Sequence, residues 1–343
     1  MIGRELQKRY RVLEKLGEGA MGEVYLVEHL GLRRQEAMKV LHAALGDAPD
    51  VVARFRREAR ASNRLEHGNI VGTHDFGRLP DGRFYLTLEY ADGEALDMLL
   101  RRSGRFPIPR ALHVLAQLAD AVDHAHSRGV IHRDLKPANM ILVERRGHAD
   151  VLKVLDFGIA KIIAPDYTET VAATADGQVF GTPAYMAPEQ VNGPGRDPRI
   201  DLYAIGCIAH ELVTGDPPFT GKTIEVMNAH LTRPPTRPSE RRREAGIPAE
   251  LDAIVLRCLE KDPDRRFQTA REILTALRQV PGFPGDERNA SGRRLRLQAP
   301  RLGDALPPGD DRRPTAGVGI PEPLAMAETL YGSIDQEVPE DEP

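Results

Sequence analysis

The sequence predicts an α+β protein of two unequal lobes, a small β-rich one followed by a larger helical one. Three observations predict it. The first ninety residues alternate apolar and polar side chains in short runs broken by glycine, as half-buried strands do. Beyond Asp92 the apolar residues recur at helical spacing over longer stretches. The length, 343 residues, exceeds one ordinary domain and falls short of three.

Taken in order, R-V-L-E-K-L-G (11–17), E-V-Y-L-V-E-H (23–29) and E-A-M-K-V-L (36–41) read as three strands. Residues 51–65 are charged, lack Gly and Pro, and place Phe55, Ala59 and Ser62 at helical spacing, so they read as a helix. F-Y-L-T-L-E-Y (84–90) returns to strand. Helices are expected at 111–127, 200–214, 224–230, 251–259 and 270–279. Residues 286–343 hold no Lys, Phe, Trp or Cys and are frequent in Pro and Gly. Such a segment buries too little apolar surface to offset its ordering entropy, so a disordered tail is expected. Residues 324–330 are its one stretch suited to a short helix on a partner. No internal repeat is visible.

Composition excludes several classes. Hydrophobic residues make 41% and charged residues 29%, with a net charge of −4, so binding to nucleic acid through bulk positive charge is not expected. Two cysteines, Cys207 and Cys258, cannot form a disulfide framework and sit in no metal-ligand pattern. The first residues, M-I-G-R-E-L-Q-K-R-Y, lack the apolar core of a secretory signal. No apolar stretch approaches the ~18 residues of a spanning helix, so no membrane span and a cytoplasmic location are expected.

Chemistry is concentrated in a few segments. L-G-E-G-A-M-G-E-V-Y-L-V places Gly17, Gly19 and Gly22 between two strand-like runs. Glycines there let backbone N–H groups approach a polyanion. A dinucleotide fold would need a helix opening at the last glycine, but E-V-Y-L-V reads as strand. Lys39 interrupts an apolar strand beside that hairpin. A buried ammonium needs a partner, and Glu58 on the expected helix is the candidate. V-I-H-R-D-L-K-P-A-N-M-I-L packs His132, Arg133, Asp134, Lys136 and Asn139 between two apolar runs, which is poor design for a core and good design for a site. K-V-L-D-F-G-I-A then ends an apolar strand on Asp156. Asp134, Asn139 and Asp156 together offer a base and hard oxygen ligands suited to Mg²⁺. Each alone would more often cap a turn.

These motifs, with A-P-E at 187–189, occur in the order and spacing of one family. The chain resembles the eukaryotic-type (Hanks-type) Ser/Thr protein kinases that bacteria also carry, over residues from about Tyr10 to Leu277. The resemblance implies a two-lobed kinase domain at 10–283, with an N-lobe over 10–91 and a C-lobe over 92–283, and a tail at 284–343. It implies ATP and Mg²⁺ as cofactors, with Mn²⁺ as an alternative. Gly17, Gly19, Gly22 and Val24 would cover the nucleotide, with Leu16, Glu18, Ala20 and Met21 completing the loop and Ala37 closing over adenine. Lys39 would hold the α- and β-phosphates and pair with Glu58. Glu89 and Ala91 would offer backbone hydrogen bonds to adenine, with Leu88 as gatekeeper. Asp134 would take the acceptor proton, Lys136 would stabilise the transferring group, and Asn139 and Asp156 would bind the metal.

The L-K-P-A-N form and G-T-P-A-Y resemble Ser/Thr rather than Tyr kinases, with Thr182 reaching Asp134 and Lys136. The resemblance extends to Asp201 and to Arg266, which in the family braces Glu189. Arg133 before the catalytic Asp implies control by activation-loop phosphorylation, with Thr168, Thr170 and Thr174 as sites. Two departures are visible: Met21 stands where an aromatic is common, and Ser62 where the helix usually carries an apolar residue. Implied partners are protein substrates with Ser or Thr acceptors and a transient homodimer for trans-autophosphorylation. A phosphothreonine reader at Thr329 of the tail is the rival to an inert linker.

Two decoys and one rival remain. T-G-K-T at 220–223 has five residues between its glycines where a P-loop needs four, and no strand before it. His124 and His126 read as packing or surface residues. A kinase-like scaffold without catalysis is the rival reading, and retention of Lys39, Asp134, Asn139 and Asp156 speaks against it.

Overall fold

Strand periodicity in the first ninety residues becomes one antiparallel sheet. The computed structural model describes residues 1–19, 22–43, 65–145, 147–157, 183–191, 193 and 196–285. Strands β1 (Glu5–Leu6), β2 (Tyr10–Gly19), β3 (Gly22–His29), β4 (Arg34–Leu41), β5 (Thr73–Arg78) and β6 (Phe84–Glu89) pair in the order β1-β2-β3-β4-β6-β5. Alternation gives the sheet two different faces. One packs Tyr10, Val12, Tyr25, Val27, Met38, Val40, Leu79 and Tyr85 into a small core. On the other, register sets Val24, Lys39 and Leu86 side by side, with Leu26, Ala37 and Leu88 in the next row. The glycine hairpin folds tightly against β4. A Cβ on Gly22 would lie 1.9 Å from the Val40 carbonyl oxygen, so only glycine fits there.

The second lobe is less uniformly helical than the sequence predicts, although the apolar run ending at Asp156 reads as strand there. It opens with a three-stranded antiparallel sheet of β7 (Gly93–Ala95), β8 (Met140–Arg145) and β9 (His148–Val154), in that order. Beyond Asp92 the chain is therefore not helical throughout. β8 and β9 are short apolar runs whose strand character comes from pairing with each other, and Gly93 lets β7 join them: a Cβ there would lie 2.3 Å from the Leu142 carbonyl oxygen. Strand β5 and helix α1 (Leu96–Ser103) were also absent from the sequence reading.

The remaining helices are α2 (Ile108–His126), α3 (Pro188–Val191), α4 (Arg199–Thr214), α5 (Thr223–Thr232), α6 (Pro238–Arg241), α7 (Ala249–Cys258) and α8 (Ala270–Leu277). Helix α2 buries Leu112, Leu115, Leu118 and Val122, the stripe its sequence spacing predicted. Each such buried side chain stabilises by about 2 kcal/mol. Helix α4 is buried almost all round and forms the axis of this lobe. Gly206 lets α7 approach it, since a Cβ would sit 2.6 Å from the Cys258 Cβ. Gly215, at φ 89°, ends the helix in the left-handed conformation that glycine tolerates.

The lobes join through the segment before β5. Val71 N–H donates to the Val154 carbonyl at 3.0 Å, and Val154 N–H donates to the Asn69 carbonyl at 2.8 Å. The Asn69 amide also donates to Gln117 on α2 at 2.8 Å. This stitching fixes the end of β9, and hence Asp156, beneath the face of the sheet that carries Lys39. Of the expected helix at 51–65, residues 51–64 lie outside the described residues.

Candidate active site

A buried carboxylate organises the loop between α2 and β8. Asp201, at the start of α4 and 1% exposed, accepts from the main-chain N–H of His132 and of Arg133 and from His126 Nε2, all at 2.8 Å. Burial alone would raise its pKa. The hydrogen bond and charge of His126, then His132 and the Arg133 amide, outweigh that and hold it below the usual carboxylate value. Arg133 sits at φ 70°, a conformation that costs a non-glycine residue of order 1–3 kcal/mol and persists only when its surroundings fix it. His126, read from sequence as packing or surface, is one of those fixings.

Within the loop the expected residues come together. Lys136 Nζ lies 2.9 Å from Asp134 Oδ2. Asn139, in a single 3₁₀ turn over Pro137–Asn139, donates its side-chain amide to the Asp134 carbonyl at 2.8 Å and to Asp134 Oδ2 at 3.1 Å. Both amide protons face Asp134, so Oδ1 of Asn139 is left as an oxygen ligand. His132 donates from Nε2 to the Leu155 carbonyl at 2.8 Å and accepts at Nδ1 from the Asp134 N–H at 3.3 Å, which sets its tautomer. Its ring stands edge-on to Phe157, centroids 4.7 Å apart.

Asp156 follows Leu155, whose N–H donates to the Asn139 carbonyl at 2.9 Å. Asp156 also has a positive φ, 55°, and its Oδ2 lies 3.5 Å from Lys39 Nζ. Contacts therefore run unbroken from Lys39 through Asp156, Leu155, Asn139 and Asp134 to Lys136. Asn139 Oδ1 and the one-third-exposed Asp156 carboxylate are hard oxygen donors beside a cleft, and they fit a magnesium ion that keeps waters and binds phosphate oxygens. Among the described residues no group of three or more His, Cys, Asp or Glu could hold a metal unaided.

On the sheet side, Leu16, Gly17, Glu18, Gly19, Gly22, Val24 and Ala37 lie on the hairpin and on β4 as expected. Ala20, Met21 and Glu58 lie outside the described residues, as do Ser62, Thr168, Thr170, Thr174 and Thr182. Ala91 sits on the connector between the lobes, and the half-buried Leu88 lies in β6 beside Ala37. Glu89 does more than offer its backbone there. Its carboxylate receives Lys153 Nζ at 2.7 and 2.8 Å, and Lys153 is 3% exposed, so an ion pair with a buried ammonium and a part-exposed carboxylate ties β6 to β9. His42, just past β4, donates from Nε2 to the Gly19 carbonyl at 3.0 Å and steadies the hairpin. The sequence reading assigned neither contact. Lys153 was the findable one, as a second lysine interrupting an apolar strand.

Below the loop, a 3₁₀ turn at Pro183–Tyr185 leads into α3. Tyr185 donates its hydroxyl to Glu211 on α4 at 2.6 Å. Burial pushes Glu211 up to about 7, partly countered by the Tyr185 bond and reinforced by Asp216 and Asp97. A carboxyl raised from an unfolded value near 4.5 keeps its proton in the folded state after the unfolded chain has lost it. Its contribution to stability therefore falls as pH rises from about 4.5 to about 7, then levels. Thermal unfolding of Glu211→Gln should lose that decline, so the variant gains stability relative to wild type as pH rises across this window. A constant gap would mean Glu211 titrates normally. The expected brace of Glu189 by Arg266 is present as a bidentate pair at 2.7 and 2.8 Å.

A profile of the protein kinase domain matches residues 10–277. The chain belongs to the protein kinase family. This chain is 38% identical over 323 residues to the Ser/Thr-protein kinase Pkn3 of Myxococcus xanthus, covering 92% of this chain and 58% of that protein. It is 41% identical over 279 residues to PknB of Mycobacterium tuberculosis, covering 80% of this chain and 43% of that one. Its fold is similar to the crystal structure of the M. tuberculosis PknI kinase domain, with a TM-score of 0.61 at 32% identity over 81% of this chain and 97% of that one. The chain thus spans only about half the length of these two curated relatives. None of its described helices is long and apolar enough to cross a membrane.

Proposed function

We propose that the chain is a kinase that transfers the γ-phosphoryl group of ATP to Ser and Thr hydroxyls of proteins. The observation that carries this reading is the unbroken set of contacts joining Lys39 and Asp156 to Asn139, Asp134 and Lys136. The relatives' names as Ser/Thr-protein kinases support it.

In this reading Gly17, Gly19 and Gly22 lie over the phosphates, Leu16, Val24 and Ala37 enclose adenine, and the backbone at Glu89 and Ala91 meets its edge. Lys39 holds the α- and β-phosphates, and Glu58 is its second partner. Asp134, oriented by Asn139 and Lys136, receives the proton of the acceptor hydroxyl as its oxygen bonds to the γ-phosphorus and the bond to the β-phosphate oxygen breaks, releasing ADP. Lys136 offsets charge on the transferring group. Asn139 and Asp156 would hold Mg²⁺ or Mn²⁺, which neutralises phosphate charge when bound. The protein contributes positioning and charge placement rather than covalent chemistry.

The domain would run over 10–283, with lobes at 10–91 and 92–283 and a tail at 284–343. Activation would follow phosphorylation of Thr168, Thr170 or Thr174, with Arg133 pairing the new phosphate and a transient homodimer delivering it. A phosphothreonine reader at Thr329 is a further partner. The cytoplasm, where ATP is held, is the fitting compartment.

The test is incubation of the full chain with γ-labelled ATP, Mg²⁺ and dephosphorylated casein. Label should appear as phosphothreonine and phosphoserine, not phosphotyrosine, and chelation of the metal should abolish it. ATP binding without any transfer would favour a kinase-like scaffold instead.

A further inference from the structure

Gln190 makes two hydrogen bonds that the reading above leaves unused. Its Oε1 accepts from the Ala187 N–H at 3.0 Å, closing the first turn of α3 in the manner of a capping box. Its Nε2 donates to the Arg133 carbonyl at 3.0 Å, across 57 residues of sequence. One end faces a donor and the other an acceptor, so the amide has only one satisfactory orientation.

The position of that carbonyl gives the contact its meaning. The peptide unit joining Arg133 to Asp134 is planar, so fixing its two ends fixes the plane from which the Asp134 side chain departs. Its oxygen is held by Gln190, and its N–H, among the described residues, by the longer 3.3 Å bond to His132 Nδ1. On the other side of Arg133 the amide is held by Asp201 at 2.8 Å. Asp201 therefore grips one face of a residue at φ 70°, and Gln190 the other. Gln190 is itself rigidly mounted, because the neighbouring Glu189 is locked to the fully buried Arg266.

We propose that Gln190 is a positioning residue for phosphoryl transfer, holding the Arg133–Asp134 peptide so that the Asp134 carboxylate meets the acceptor hydroxyl, and tying that geometry to the segment over 183–187. This rests on the kinase reading of the same site. Gln190 touches neither nucleotide nor the reacting atoms, so it acts on turnover and not on ATP affinity.

Two substitutions separate its bonds. Gln190→Glu keeps an oxygen for the Ala187 N–H but sets a carboxylate against the Arg133 carbonyl, whereas Gln190→Leu removes both bonds. With dephosphorylated casein as acceptor, kcat should fall at least about tenfold in each, because small misplacements of a reacting group are costly. KM for ATP should stay within about twofold, since no nucleotide contact changes. Hydrogen exchange measured without substrate should rise in peptides covering 130–140 and 183–191 in both variants and remain unchanged in the sheet lobe. Wild-type kcat in both variants, or unchanged exchange at 130–140, would overturn the proposal. A rise in KM for ATP at constant kcat would do so equally. If wild type itself transfers no phosphate, the kinase reading fails, and the exchange measurement still decides whether Gln190 holds the loop.

Discussion

Replacing Asp134 by Asn should lower phosphoryl transfer by about a thousandfold, the middle of the range for losing a positioned general base. Asn has the shape of Asp and keeps an acceptor oxygen for Lys136, while the Asn139 amide still donates to the main-chain carbonyl of residue 134 at 2.8 Å. The loop should therefore stay folded. What disappears is the negative oxygen, 2.9 Å from Lys136 Nζ and 3.1 Å from the Asn139 amide, that would accept the hydroxyl proton in the proposed mechanism. In the same proposal the ATP contacts belong to the glycine hairpin, Lys39 and the lobe connector, so KM for ATP should hardly move. Single-turnover transfer from labelled ATP, with a melting curve of each protein, provides the measurement. Equal transfer by both proteins would remove Asp134 from the mechanism and leave the cleft as a nucleotide-binding scaffold.

The parts of this site legible from sequence are those where one short segment carries several polar residues between apolar runs. His132, Arg133, Asp134, Lys136 and Asn139 span eight positions, so pattern alone marks them, and the glycine hairpin and Asp156 are marked by turn chemistry. Contacts made across the fold were not legible in the same way. Asp201 fixes His132 and Arg133 from 69 and 68 residues away, Glu89 meets Lys153 across 64, and Gln190 reaches Arg133 across 57. Nothing in the local composition of Gln190 distinguishes it from a solvated glutamine on a short helix. Secondary structure divides likewise. Long helices such as α2 and α4 declare themselves by period, and the run before Asp156 by its apolar residues, whereas β7 is a three-residue strand whose character comes from its pairing with β8.

Replacing Arg266 by Met should destabilise the protein by about 3 kcal/mol, because it removes every bond of a buried guanidinium and leaves the Glu189 carboxylate, 24% exposed, without its partner. All five guanidinium donors are used: two meet the Glu189 carboxylate at 2.7 and 2.8 Å, and the others reach the carbonyls of Glu260, Lys261 and Arg199. The charge also lies 4.9 Å from the Tyr203 ring centroid, so methionine replaces the packing but none of the polar bonds. For a domain of this size the loss corresponds to roughly 10 °C in melting temperature. Removing both charges, as Arg266→Met with Glu189→Leu, should recover part of the loss, since the orphaned carboxylate goes as well. The carbonyls of Glu260, Lys261 and Arg199 still lose their guanidinium donors, so recovery stays incomplete. Urea unfolding of wild type, the single variants and the double variant measures the coupling directly. A single-variant cost below about 1 kcal/mol, the ordinary value of a surface pair, would show that the pair is solvated in solution and does not anchor α3. The activity arm of the same series carries the functional consequence. Helix α3 bears both Glu189 and Gln190, so loosening it at a temperature where the protein is still folded should lower turnover as the Gln190 variants do, and should leave KM for ATP unchanged.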